Sequence, residues 1–194
     1  PPQGQIAVCD ERTWRGADQH RGVGFAEAGQ PLHDGVGQGI EAGGHRGHFL
    51  SDDYRQQPST LALTMLLSNT LSLPVVAAGG IGSRADAERL LGAGAQAVQA
   101  GTAYLLSPES RASAVHRAAL QDPLRGTAIT NLFSGGAARG LVNRLMVELG
   151  PMSELAPAFP WASAALAPLR ARAESRGDDA FSPLWSGSEP NSFA

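Results

Sequence analysis

The segment Gly39-Ile40-Glu41-Ala42-Gly43-Gly44-His45-Arg46-Gly47 joins a glycine-rich turn to a histidine. Two more glycine turns follow. Gly79-Gly80 closes the apolar run Val75-Val76-Ala77-Ala78, and Gly101-Thr102 closes Ala95 to Ala100. Glycine lets a backbone come close to an oxyanion because no Cβ intervenes, and N–H groups at a helix start supply donors and a favourable dipole. In chains that alternate strands with helices, ligands gather where strands end at their carboxyl termini. Three such turns have the layout of one oxyanion site, to which Thr102 adds a hydroxyl. The imidazole of His45, with an ordinary pKa of about 6.5, suits proton transfer near neutral pH. This pattern fits a phosphate-bearing cofactor with a proton-transfer residue beside it. The plainer reading is that the glycines only make tight strand-to-helix turns and that His45 lies on the surface.

The other polar candidates are weaker. Arg46 could hold an anion, but solvation or pairing with Glu41 is the simpler expectation. His45 and His48, with no third ligand type nearby, make a poor metal site. His20, His33 and His116 read as ordinary surface residues. Arg139 lies in the same segment as Asn131 and Asn143, and is expected to hold a sheet edge or the tail through hydrogen bonds to carbonyls. Trp14, Trp161 and Trp185 read as packing residues. All fifteen basic residues are arginine, which removes Schiff-base and catalytic-lysine chemistry. The single Cys9 leaves no internal disulfide framework and no thiolate zinc site.

Positioning those turns requires a core, and 194 residues with 42% hydrophobic content can bury one. A net charge of −3 leaves no basic footprint for nucleic acid. No stretch approaches a membrane span and the start lacks a signal-like pattern, so a cytoplasmic protein without a membrane partner is expected. Residues 1–37 show neither a 2.0 nor a 3.6 period and read as irregular. From Gln38 the chain alternates. Thr60 to Leu71 reads as a buried helix, Leu73 to Ala78 as a buried strand, and Ser83-Arg84-Ala85-Asp86 as a capping box opening the next helix. Ala95 to Ala100 is the following strand. Ser107-Pro108-Glu109 is expected to start a helix running to about Leu120, and Thr127 to Leu132 is a last strand. Leu141, Leu145 and Leu149 are expected on one face of a helix closed by Gly150-Pro151. A Pro-, Ala- and Ser-rich tail over 151–194 is expected to be partly helical and to pack on the body formed by 38–150. The alternation implies three or four parallel strand–helix units, fewer than an eight-unit barrel of typically about 250 residues needs.

From Gln38 to the carboxyl terminus these motifs resemble the nitronate monooxygenases, formerly 2-nitropropane dioxygenases, which are FMN enzymes on a TIM barrel. Gln38 to Gly47 resembles the family's histidine-bearing glycine loop. Ala77-Ala78-Gly79-Gly80-Ile81 and Gln99-Ala100-Gly101-Thr102 resemble its two phosphate-binding strand ends, and Leu184-Trp185-Ser186-Gly187 its tail. The resemblance implies an α/β fold, here the carboxyl-terminal βα units of a partial TIM (β/α) barrel with a helical tail. It also implies that Gln38 and Gly43 contact the flavin, that Gly80, Gln99, Ala100, Gly101 and Thr102 hold the FMN phosphate, and that His45 is the catalytic base. The implied reaction oxidises an alkyl nitronate with dioxygen to a carbonyl compound and nitrite.

Two departures accompany the resemblance. The family's amino-terminal half, which cradles the flavin ring, has no counterpart in the chain, and Gly136 stands where many relatives carry arginine. Residues 1–37 do not resemble the strand and helix expected before the histidine loop. Translation of that segment out of the family frame, joining it near Gln38, accounts for this and is tested by reading the encoding DNA. Two other functional readings stand beside the first. One is an NAD(P)H-dependent flavin reductase of the same fold, acting on enoyl thioesters or quinones; the other is an inactive gene fragment. Unpaired sheet edges in a partial barrel also favour self-association.

Overall fold

The computed structural model describes residues 5–7, 35–47 and 53–189. His20, His33, His48, Cys9 and Trp14 lie outside the described residues. A parallel sheet forms from β1 (Gln5–Ala7), β2 (Gly35–Gln38), β4 (Val75–Ala78) and β5 (Ala97–Gln99), in the order β1-β5-β4-β2. A second, antiparallel sheet has the order β3-β7-β6, from β3 (Gly44–His45), β6 (Thr127–Thr130) and β7 (Ala138–Leu141). Helix α1 (Thr60–Thr70) links β2 to β4, and α2 (Arg84–Gly92) links β4 to β5. Then come α3 (Ala114–Leu120), α4 (Arg144–Leu149) and α5 (Trp161–Glu174).

Strand formation starts at Gly35, ahead of Gln38, and Gln5–Ala7 pairs in parallel with Ala97–Gln99. The sequence hides β2 because its glycines break the apolar pattern, and packing explains them. A Cβ at Gly37 would meet Leu67 Cδ1 at 3.0 Å, so the missing side chain is what lets α1 lie against the strand. Backbone pairing of Gly35–Gln38 with Val75–Ala78 then sets the register.

The helix starts follow local chemistry. The Ser59 hydroxyl accepts from the Ala62 N–H, and the Ser83 hydroxyl accepts from the Asp86 N–H while donating to the Asp86 carboxylate. Ala77, Ala87, Leu90, Val98 and Ala100 form the core between β4, β5 and α2. Leu90 is fully buried, which contributes on the order of 1.5–3 kcal/mol.

Three expectations are corrected. No helix starts at Ser107. A 3₁₀ turn occupies Thr102–Tyr104, and the helix begins at Ala114 with Ser113 as its cap. Arg117 explains the difference: its guanidinium donates to the carbonyls of Leu105, Leu106 and Ser107, so this stretch finds its partner outside a helix. Leu141 ends β7 and is not helical. Asn143 separates it from α4, capping the helix through Met146 N–H and donating to the carbonyls of Asp179 and Ser182. Finally, among the described residues parallel strand–helix units number two, β2-α1-β4 and β4-α2-β5, because β6 and β7 pair antiparallel. The tail is partly helical, as expected. Beyond α5 it returns along β7, where Leu141 N–H donates to Leu184 O and Gly140 bridges to Trp185.

Candidate active site

The loop from Gly39 to Gly47 leaves β2 and is pinned from both sides. Gly39 N–H donates to Ala78 O at 3.0 Å and Ile40 N–H to Pro58 O at 2.9 Å. A Cβ at Gly39 would lie 2.3 Å from the Thr60 backbone nitrogen, so only glycine passes under the start of α1. Glu41 turns back to that helix, its carboxylate accepting from the Thr60 N–H and hydroxyl, both at 2.8 Å. An anion at a helix start is favourable, because the first N–H groups lack partners within the helix.

Arg46 is buried, which corrects the expectation that it is solvated or paired with Glu41. Its guanidinium gathers the carbonyls of the loop: Ala42 at 2.5 Å, Gly39 at 3.2 Å and Ile40 at 3.3 Å. Burial, and then the charge of Arg139, lower its pKa to about 10, with Glu41 acting the other way. It therefore stays charged at neutral pH. Arg139 does hold carbonyls as the sequence implies, donating to Ile40 O at 3.1 Å and to the Thr127 hydroxyl at 3.1 Å.

His45 projects from β3, where it pairs with Ala138 of β7. Gln38 fixes the backbone around it, donating to His45 O and accepting from Gly47 N–H, each at 3.1 Å. The imidazole Nε2 lies 2.8 Å from the Ser134 hydroxyl. Phe159 meets the ring edge-on at a centroid distance of 5.8 Å, and Trp185 lies at 5.4 Å, tilted by 56°. His45 keeps an exposed side, yet the surrounding packing, followed by the charge of Arg46, lowers its pKa below the ordinary value. The exposed side and the desolvation are compatible, since the rings and the hydroxyl cover only part of the imidazole.

The glycine turns converge on the same loop. Gly79 and Gly80 both have positive φ, at 115° and 64°. A Cβ on Gly79 would meet Ala42 N at 2.8 Å, and one on Gly80 would meet Glu41 Cβ at 3.1 Å. Gly187 N–H donates to the Thr102 hydroxyl at 2.8 Å, and Ser188 N–H to Glu41 O at 2.9 Å. A Cβ on Gly43 would stand 2.7 Å from Gly187 N. Thus Gly43, Gly80 and Thr102 are brought together through Glu41 and Gly187. At Gly101 the space is open: a Cβ there would meet nothing within 4 Å, and no side chain caps the 3₁₀ turn that follows. Gln99 ends β5 opposite Ala78. Ala100 packs its methyl into the α2 core, leaving only its backbone for a ligand.

The sequence reading missed Ser134, Phe159, Glu41 and Gly187 at this site, and treated His116 as a surface residue. His116 Nε2 lies 3.1 Å from Trp185 O, tying α3 to the tail. Only Gly187 carried a signal, through the motif Leu184-Trp185-Ser186-Gly187. A hollow of 330 Å³ borders the Gly79-Gly80 turn and Glu41 themselves, with Thr60, Asp86, Arg89 and Glu189 around it. Its three carboxylates make it a poor seat for an anion.

A family model described as nitronate monooxygenase matches residues 33–193. The chain belongs to the nitronate monooxygenase family. The match begins ahead of Gln38. Relatives of this family include the nitronate monooxygenase of Pseudomonas aeruginosa, 45% identical over 154 residues, covering 78% of this chain and 44% of the relative. A probable nitronate monooxygenase of Staphylococcus haemolyticus is 38% identical over 192 residues, covering 96% of this chain and 50% of the relative. Among solved structures, a nitroalkane oxidase from Streptomyces ansochromogenes superposes with a TM-score of 0.77 at 39% identity, covering 84% of this chain and 47% of that one. FabK from Thermotoga maritima gives 0.63 at 26% identity, covering 84% and 49%. The chain thus spans about half the length of the relatives it matches, and the fold is part of a family (β/α) barrel.

Proposed function

We propose that this chain carries the phosphate-gripping and proton-handling part of an FMN enzyme that oxidises alkyl nitronates with dioxygen to a carbonyl compound and nitrite. The observation carrying the reading is the convergence of the histidine loop, the Gly79-Gly80 turn and Thr102 through Glu41 and Gly187. FMN fits what is there. Its phosphate needs backbone N–H donors and room, and the uncapped turn at Gly101-Thr102 offers both. The Thr102 hydroxyl accepts from Gly187, which leaves its own proton to donate outward. Gly80, Gln99 and the Ala100 backbone would complete the phosphate contacts, with Gly43 and Gln38 nearer the ring.

When bound, FMN supplies the redox chemistry, taking electrons from the organic substrate and passing them to dioxygen. The chain's own residues do the rest. His45 is neutral at pH 7 because packing and Arg46 disfavour its cation. It can therefore accept the proton from the carbon beside the nitro group of a neutral nitroalkane, whose C–H electron pair stays behind to give the nitronate that is then oxidised; a nitronate supplied as such needs no base. Phe159 and Trp185 keep water from two sides of the ring and offer apolar surface to an alkyl group.

Titration of the purified chain with FMN, followed by flavin absorbance and oxygen uptake with propionate 3-nitronate, tests the reading. Yellow holoprotein and nitronate-dependent oxygen consumption are expected. Failure to take up FMN sinks the reading and favours an inactive fragment. The likeness to FabK supports a second reading, an NAD(P)H-dependent flavin reductase acting on enoyl thioesters or quinones. Anaerobic bleaching of the flavin by NADH, with none by the nitronate, would favour it.

A further inference from the structure

Ser134 sits on the turn after β6, with 5% of its surface exposed. The turn is firmly held. Gly135 N–H donates to Asn131 O at 2.8 Å, and the Ser163 hydroxyl, from the first turn of α5, donates to Phe133 O at 2.8 Å. Gly135 has φ of +87°, and a Cβ there would lie 2.3 Å from Phe159 N, so the same turn also seats the Phe159 segment.

The hydroxyl of Ser134 has three neighbours and one proton. Gly136 N–H lies 3.3 Å away and can only donate, and Gly136 O lies 3.2 Å away and can only accept. The third neighbour is His45 Nε2 at 2.8 Å. A hydroxyl offers one donor and two acceptor lone pairs. If its proton goes to Gly136 O, both lone pairs are filled by Gly136 N–H and by Nε2–H, and every group is satisfied. If its proton goes to Nε2 instead, Gly136 O, on a half-buried residue, loses its donor, a cost the first arrangement avoids. Nδ1 of His45 makes no hydrogen bond among the described residues.

We propose that Ser134 is a positioning residue that holds neutral His45 as the Nε2–H tautomer and so makes Nδ1 the nitrogen that accepts the substrate proton. The lowered pKa of His45 agrees with a neutral ring at pH 7. The role assigned to Nδ1 rests on His45 being the base, whereas the tautomer does not. Choice of tautomer by the hydrogen bond at the other ring nitrogen is general histidine chemistry.

The test is nitrogen NMR of the full chain labelled with ¹⁵N-histidine at pH 7.5, with the His45 signals identified by their loss in His45→Asn. The expected spectrum has Nε2 protonated and Nδ1 unprotonated. Ser134→Ala should populate both tautomers, and Ser134→Thr, which keeps the hydroxyl, should restore the preference. A His45 protonated at Nδ1 in the unaltered chain overturns the proposal, as does an unchanged tautomer in Ser134→Ala. If Ser134→Ala does not fold, the spectrum of the unaltered chain decides alone. These spectra need neither FMN nor substrate. A correct tautomer combined with undiminished oxygen uptake from a neutral nitroalkane in His45→Asn would therefore reject His45 as the base and leave the Ser134 contact standing.

Discussion

At the scale of single residues, the site rests on two side chains with opposite tasks. Arg46 holds the loop by directing its donors to three carbonyls, and on the proposed reading His45 exchanges a proton. His45→Asn should retain FMN and lose about 10²–10⁴-fold in turnover of a neutral nitroalkane, the usual worth of a general base, as read by oxygen uptake, while a preformed nitronate is spared. The pH dependence follows from the direction of the His45 shift. Burial and Arg46 disfavour the imidazolium, so the base stays neutral to lower pH than an ordinary histidine. The midpoint of the acid limb should therefore lie below 6.5, where an unshifted histidine would already be half protonated. A profile falling above 6.5 would contradict the assignment. Arg46→Met leaves the Ala42 carbonyl without a donor, at roughly 1–3 kcal/mol, while Gly39 O keeps the Ala42 N–H and Ile40 O keeps Arg139. A lowered urea midpoint together with weakened FMN binding is expected.

At the scale of elements, the glycine turns separate packing from ligand contact. Gly43→Ala drives a Cβ to 2.7 Å from the Gly187 backbone, so the tail must move off the loop and the melting temperature should fall. Gly101→Ala meets open space and keeps an allowed φ of −106°. It should leave the melting temperature unchanged and weaken only FMN, as measured by fluorescence titration. Equal FMN affinity in Gly101→Ala would move the phosphate elsewhere. Much of this layout was legible in the sequence: the α2 cap at Ser83, β4, β5, and the two turns after them all form where the local pattern places them. Other elements were not legible, for physical reasons. Gly37 in β2 carries no apolar signal because α1 needs the space of a side chain there. Ser107 has the look of a helix start, yet its segment is drawn off by Arg117, a partner ten residues away.

At the scale of the whole molecule, the parallel sheet ends at β2, whose outer edge has no strand partner among the described residues. Exposed backbone edges invite pairing with another chain. We expect concentration-dependent association in analytical ultracentrifugation, suppressed by Val36→Lys, which places a charge on that edge strand. No described helix is long and apolar enough to cross a membrane. The tail is what joins the two sheets to the site. Trp185 packs on His45 while Gly187 and Ser188 bond Thr102 and Glu41, so one carboxyl-terminal segment touches both the imidazole and the Gly101-Thr102 turn.

The sequence alone determined the identity of the chemical groups and the local turns that present them: a histidine within glycines, two strand ends closed by glycine turns, and a capped helix after the first. Those features depend on residues a few positions apart, where backbone freedom and side-chain capping act directly. Tertiary structure decided which distant groups surround the imidazole. Ser134, Phe159 and Trp185 lie far along the chain from His45 and carry no local signal of that role. Only the antiparallel pairing of β3 with β7 and the return of the tail bring them there.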